Sequence, residues 1–138
     1  MSIKAFIDTN IFVYAQVINE NQKHVIARDL LKSKLFNNNV YISTQVLGEF
    51  YSAMFKYKRS HAETSKMINE LIIGANVAAV MISTVQLGLK IAGKYGHSYW
   101  DSLLLAAAIE NDCELFYSED MQHNQVIEGS LTIKNPFM

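Results

Sequence analysis

Four times along this chain a short apolar run stops at small polar or acidic residues and gives way to an amphipathic stretch. Residues 3–7 stop at Asp8-Thr9-Asn10, 40–42 at Ser43-Thr44, 77–82 at Ser83-Thr84, and 114–117 at Ser118-Glu119-Asp120. Apolar runs of that length, bounded in that way, read as buried strands, and the short polar side chains after them can accept the free N–H groups of a following helix. The stretches between carry apolar residues at helical spacing. These are 10–18, the run through Val25, Ile26, Leu30, Leu31 and Leu35, and about 44–57, with Val46, Leu47, Phe50, Ala53, Met54 and Tyr57 on one stripe. Further helices are predicted over 61–73, through Met67, Ile68, Leu71 and Ile72, over 84–95, through Leu87, Leu89, Ile91 and Ala92, and over 99–111. A break is expected at 19–21, a turn at 37–39 and a brief last strand at 131–133. Strands alternating with helices imply a parallel sheet with right-handed crossovers and helices on both faces. The expectation is a single three-layer α/β/α domain over 1–138, with four to five strands.

Composition narrows the chemistry. Half the residues are apolar and 18% are charged, which is not the balance of a disordered chain. The formal net charge of −1 supplies no global attraction for a polyanion, so a nucleic-acid partner would need local patches or bound cations. The single cysteine, Cys113, permits no internal disulfide and suits a reducing compartment. Asp8 and Asn10 interrupt the first apolar run, unlike a secretion signal. No stretch approaches the roughly 20 apolar residues needed to cross a bilayer. A soluble, cytoplasmic protein is expected, with no membrane partner.

Four carboxylates stand out. Asp8 ends the first strand, where ligands of open α/β sheets bind; it can equally cap the helix that follows. Asp101 sits in a helix apolar on nearly every side, where an unpaired charge is costly, although Ser98 and Asp101 have the spacing of a capping box. Glu49 flanks the apolar stripe of its helix, and alone reads as a solvated residue. Asp120 closes a second strand in the manner of the first. In a parallel sheet both strand ends open on one edge, so Asp8 and Asp120 can share a crevice. Four acids meeting there would raise one another's pKa unless a cation sat among them. Oxygen ligands of that kind suit Mg²⁺ or Mn²⁺, which can activate water and stabilise a leaving phosphodiester oxygen. No paired Cys or His motif suggests zinc, and no glycine-rich phosphate loop is present.

Phe6-Ile7-Asp8-Thr9-Asn10, Gln45-Val46-Leu47-Gly48-Glu49-Phe50, the segment from His97 through Asp101 to Ala108, and Leu115-Phe116-Tyr117-Ser118-Glu119-Asp120 stand in this order. Together they resemble the four acid motifs of the PIN-domain ribonucleases, and within them the VapC-type toxins of bacterial toxin–antitoxin modules. The resemblance runs nearly end to end. It implies a PIN-like α/β/α fold and Mg²⁺- or Mn²⁺-dependent cleavage of RNA. It also implies a homodimer and inhibition by a cognate VapB-like antitoxin. By the same resemblance Asp8, Glu49, Asp101 and Asp120 are the catalytic metal ligands, and Thr9, Asn10 and Ser118 orient them. Asp120 is preferred over its neighbour Glu119, which is expected at the surface.

Other features carry less. Lys56, Lys58 and Arg59 form the one basic cluster and, with His123, are candidate substrate contacts; Tyr57 beside them could stack on a base. A cluster ending a helix is also what the helix dipole favours. Trp100 and Tyr99 are expected in the core or at a dimer interface. Two rival readings remain. One is a non-catalytic interaction module whose acids only cap helices. The other is a haloacid-dehalogenase-like phosphatase, which wants a second Asp where Asn10 stands.

Overall fold

The computed structural model describes residues 3–18 and 22–138. Its strands are β1 (Ala5–Ile7), β2 (Val40–Ser43), β3 (Asn76–Ala78), β4 (Leu115–Tyr117), β5 (Val126–Ile127) and β6 (Leu131–Lys134). They form one sheet in the order β3-β2-β1-β4-β6-β5, parallel except where β5 meets β6. The helices are α1 (Thr9–Gln16), α2 (Gln22–Lys34), α3 (Thr44–Lys56), α4 (His61–Gly74), α5 (Ile82–Tyr95) and α6 (Tyr99–Glu110). Strands this short, with every β1 residue buried, cannot hold together by ladder bonds alone; the helices must cover them.

Strand order decides where the helices go. From β1 to β2 to β3 the chain steps one way along the sheet, so right-handed crossovers lay α1, α2, α3 and α4 on one face. From β3 it steps back past β1 to β4, and the same handedness puts α5 and α6 on the other face. The result is three layers, α/β/α. The step direction reverses at β1 and β4, and the crevice at their carboxyl ends is where such sheets bind ligands.

Local sequence sets the helix boundaries. Ser60 Oγ accepts from Glu63 N (3.1 Å) and Glu63 Oε1 accepts from Ser60 N (3.3 Å), a capping box at the start of α4. Gly96, at φ 77°, ends α5 in the left-handed conformation that favours glycine. Residues 102–108 of α6 are all buried, as expected of a helix apolar on every side. The core is anchored by Phe6 and Phe116, register partners on β1 and β4, whose rings stack 5.2 Å apart at 4°. Around them pack Ile7, Ile42, Phe50, Met54 and Leu105.

Several expectations need correction. The sheet has six strands, because the two-residue β5 is too short to register in the sequence and lies antiparallel. The third apolar run pairs only through Ala78, opposite Ser43, the last residue of β2. Beyond it β2 has turned into α3 and no ladder partner remains. Val80 N donates instead to Thr44 Oγ1 (3.2 Å), Met81 N donates to Thr84 Oγ1 (3.0 Å), and α5 starts with Ile82 80% exposed. Leu89, Ile72 and Tyr57, expected on buried stripes, are exposed; Trp100, expected in the core or at a dimer interface, is 62% exposed, which removes only the first alternative. The break expected at 19–21 lies outside the described residues.

Replacing a fully buried aromatic removes its transfer free energy and leaves a cavity. Phe116→Ala should therefore lower unfolding free energy by about 3–5 kcal/mol, read as a drop in urea midpoint at unchanged m-value.

Candidate active site

β1 and β4 run side by side to the same edge, and the ladder continues one residue past each. Asp8 N donates to Tyr117 O (2.9 Å) and Ser118 N donates to Lys134 O (3.0 Å). This brings Asp8 and Ser118 together across 110 residues of sequence: Ser118 Oγ donates to Asp8 Oδ2 at 2.7 Å, with both side chains buried. Asp8 is also the N-cap of α1, its Oδ1 accepting from Thr9 N at 2.7 Å. The capping and crevice readings of Asp8 both hold, one on each oxygen.

Asp8, Glu49, Asp101 and Asp120 line one cleft of about 410 Å³, with Thr9 and Asn10 between them. They come from four places: the end of β1, the second turn of α3, the first turn of α6 and the loop after β4. Each is braced. Thr9 Oγ1 donates to Glu49 Oε1 (2.7 Å), and Asn10 Nδ2 donates to Asp120 Oδ2 (2.8 Å). Ser98 Oγ accepts from Asp101 N (3.1 Å) at the start of α6, while Ser118 Oγ accepts from Asp120 N (3.1 Å). Thr9, Asn10 and Ser118 thus each donate to a different acid. Among the described residues no three carboxylate or imidazole groups are gathered tightly enough to hold an ion as they stand.

Other candidates fall elsewhere. Glu119 is partly buried and turned to Tyr14 and Lys23: its Oε2 accepts from Tyr14 Oη (2.6 Å) and its Oε1 pairs with Lys23 Nζ. The expectation of a simple surface acid gives way to a brace between the β4 loop and the first two helices. His123 is outside the cleft lining, its Nδ1 accepting from Asn135 N (3.0 Å). Arg59 Nη2 donates to Gln16 O (2.8 Å), while Lys56 and Lys58 are exposed near the cleft's end. The sequence reading missed Gln45, whose Nε2 donates to Glu49 Oε2 (3.0 Å) and to Trp100 O (3.0 Å) and so ties α3 to α6. The Gln-to-Glu spacing of four on one helix face was the available signal. Tyr14 was missed too, although it follows Asn10 by one helical turn.

Residues 5–128 match the PIN domain family. No curated protein sequence matches the chain significantly. Among solved structures, a toxin–antitoxin complex from Klebsiella pneumoniae superposes with TM-score 0.71 at 17% identity, over 96% of this chain and 98% of that one. VapC20 of Mycobacterium tuberculosis, a toxin that cleaves the sarcin–ricin loop, gives 0.68 at 18% over 82% and 87%. VapBC2 of Rickettsia felis, bound to promoter DNA, gives 0.66 at 19% over 96% and 100%.

Crowding and burial mark the electrostatics. Burial pushes the Asp8 carboxyl up to about 7; hydrogen bonds from Ser118 and Thr9 pull it down, and the charges of Glu49 and Asp101 push it further up. Asp101 is also raised, first by burial and then by Asp120 and Glu49, against the Ser98 hydrogen bond and His97. Between about pH 4 and about 7, native Asp8 keeps a proton that the unfolded chain has released. Without metal, the contribution of Asp8 to stability therefore falls as pH rises through that window and levels above it. Each unit of displacement is worth about 1.4 kcal/mol. In chelated buffer, Asp8→Asn should remove most of this slope and be more stable than the parent at pH 8, by an amount on the order of a few kcal/mol, measured by urea denaturation across pH.

Proposed function

The chain belongs to the PIN-domain family, and on that premise we propose that it is a divalent-metal-dependent endoribonuclease, the toxin of a toxin–antitoxin pair. The observation that carries this reading is the meeting of Asp8, Glu49, Asp101 and Asp120, from four separate elements, on one cleft at the reversal of strand order. Family membership sets aside the phosphatase reading.

The side chains fit a hard cation. The donors are all carboxylate oxygens, with lone pairs beyond the hydrogen bonds that Asp8, Glu49 and Asp120 already accept. Asn10 Oδ1, in the same cleft, is a buried acceptor with no partner among the described residues. Asp8, Glu49, Asp101 and Asp120 would hold Mg²⁺ or Mn²⁺. Such an ion would polarise a bound water for attack and would neutralise charge developing at the phosphodiester.

The chain's own residues do the rest. Ser118 and the Thr9 amide hold both Asp8 oxygens, so this carboxylate cannot swing out of the cleft. Thr9 and Gln45 fix Glu49 from two sides, and Asn10 fixes Asp120. Outer donors of this kind orient ligating groups and tune their basicity. An in-line attack at phosphorus needs the acids placed before substrate arrives, because misplacement by about 1 Å can cost about 100-fold in rate.

VapC20, a structural neighbour, cleaves the sarcin–ricin loop, and other neighbours are toxin–antitoxin complexes, some on DNA. That supports RNA as substrate and a VapB-like antitoxin as partner; a homodimer as the working form rests on the family resemblance alone. Among the described residues no helix is long and apolar enough to cross a membrane, in keeping with action on RNA in the cytoplasm. One observation favours the non-catalytic module: three of the acids already rest on neutral donors.

Two measurements separate these readings. Asp8→Asn and Asp101→Asn, folded by circular dichroism, should lose metal-dependent RNA cleavage by about 100-fold or more, the scale of losing a group that acts on the transition state; parent-like rates would remove those roles. Melting in Mn²⁺ at 100 times its Kd should stabilise the parent by about 2.7 kcal/mol, whereas a purely capping arrangement would not respond.

A further inference from the structure

The cleft that holds the acids has a second half. Beyond them its walls are Val13 and Tyr14 from α1, Ala53 and Tyr57 at the inner face and end of α3, and Leu104 from α6. Hydrolysis at phosphorus needs oxygen ligands and hydrogen-bond donors; it has no use for hydrocarbon and phenol rings. Their presence beside the acids points to a part of the substrate that is flat and apolar.

Glu49, Ala53 and Tyr57 lie at i, i+4 and i+8, so one face of α3 forms a wall that is acidic at one end and aromatic at the other. At 1.5 Å per residue, Tyr57 stands about 12 Å along the axis from Glu49. This is near the reacting phosphate but not at it. Tyr57 is 40% exposed, whereas Val46, Phe50 and Met54 on the same helix are buried. Its backbone is held firmly. Tyr57 N and Arg59 N both donate to Met54 O (3.1 Å each), Lys58 takes the left-handed conformation at φ 60°, and Arg59 Nη2 bonds Gln16 O on α1. The turn after α3 is thus clamped to both walls of the cleft. Lys56 and Lys58 flank it, exposed.

We propose that Tyr57, with Val13 and Ala53 beside it, is a base-binding subsite: its ring stacks on an unpaired RNA base while the neighbouring phosphate lies among the acids. The assignment rests on the nuclease reading and adds a residue that selects substrate. A stack needs a base whose face is free, so the subsite takes single-stranded or looped RNA and refuses a continuous duplex. Lys56 and Lys58 stand where the backbone leaves the acidic part, and supply positive charge to its phosphates.

The test is a double comparison on the full chain in Mn²⁺. Short single-stranded RNA substrates carry an abasic nucleotide in turn at each position flanking the scissile bond. The parent should lose about tenfold or more in kcat/KM at one position, mostly through KM, which is the scale of one base–aromatic stack. Tyr57→Ala should show that loss on the intact substrate and no further loss on the abasic one; Tyr57→Phe should behave as the parent. A structural role for Tyr57 would slow all substrates alike and leave the abasic penalty in place. If Tyr57→Ala keeps the full abasic penalty, or cuts intact RNA with parent KM, the subsite is wrong and the nuclease reading stands. If the parent cuts no RNA, with Mg²⁺ or Mn²⁺, the nuclease reading fails and the subsite with it.

Discussion

The pairing of β1 with β4 is the constraint on which the rest depends. Three register pairs, Ala5 with Leu115, Phe6 with Phe116 and Ile7 with Tyr117, join segments more than 100 residues apart, and the stacked phenyl rings hold them in that register. A slip of one residue would turn every side chain to the other face of the sheet. Phe6 and Phe116 would leave the core, and Asp8 would lose Ser118. The apolar contact that stabilises the fold is therefore also what aligns the acids. Both strands cross the middle of the sheet, where the strand order reverses, and their ends open into a crevice that no crossover covers.

Around that crevice, the first turn of α1 acts as a hub. Asp8 caps it, Thr9 reaches across to α3, and Asn10 reaches to the loop after β4. One short helix thus fixes carboxylates from three parts of the chain. Asp8 and Asp101 are both harder to ionise there than in water, and burial is the largest reason in each case. Stability alone would not select this. Active sites accept such costs when chemistry needs charge in place beforehand, and the donors lower the cost without removing the charge.

Much of the fold was legible in residue pattern, because strands buried on both faces and amphipathic helices differ in period and in length. The errors share one cause. Residues 77–82 are as apolar as a strand, yet of these only Val77 and Ala78 have a ladder partner, since β2 ends at Ser43. Pairing length belongs to the neighbour, and a single segment carries no record of it. Ile72 and Leu89 were misplaced for a related reason: apolarity says that a side chain can be buried, and only the packed neighbours decide whether it is.

For the site, the sequence by itself determined which acids were out of place: Asp8 and Asp120 at strand ends, and Asp101 in a helix apolar on all sides. Those are conflicts between a residue and its local environment, and local environment is readable from a linear pattern. Tertiary structure alone decided that Glu49, unremarkable on its helix, faces the same cleft; that Glu119 turns away to Tyr14 and Lys23 while Asp120 turns in; and that Tyr57 lies on the cleft wall. The physical reason is that each depends on distances between elements far apart in the chain, set by crossover handedness and strand order, quantities that no window of residues contains.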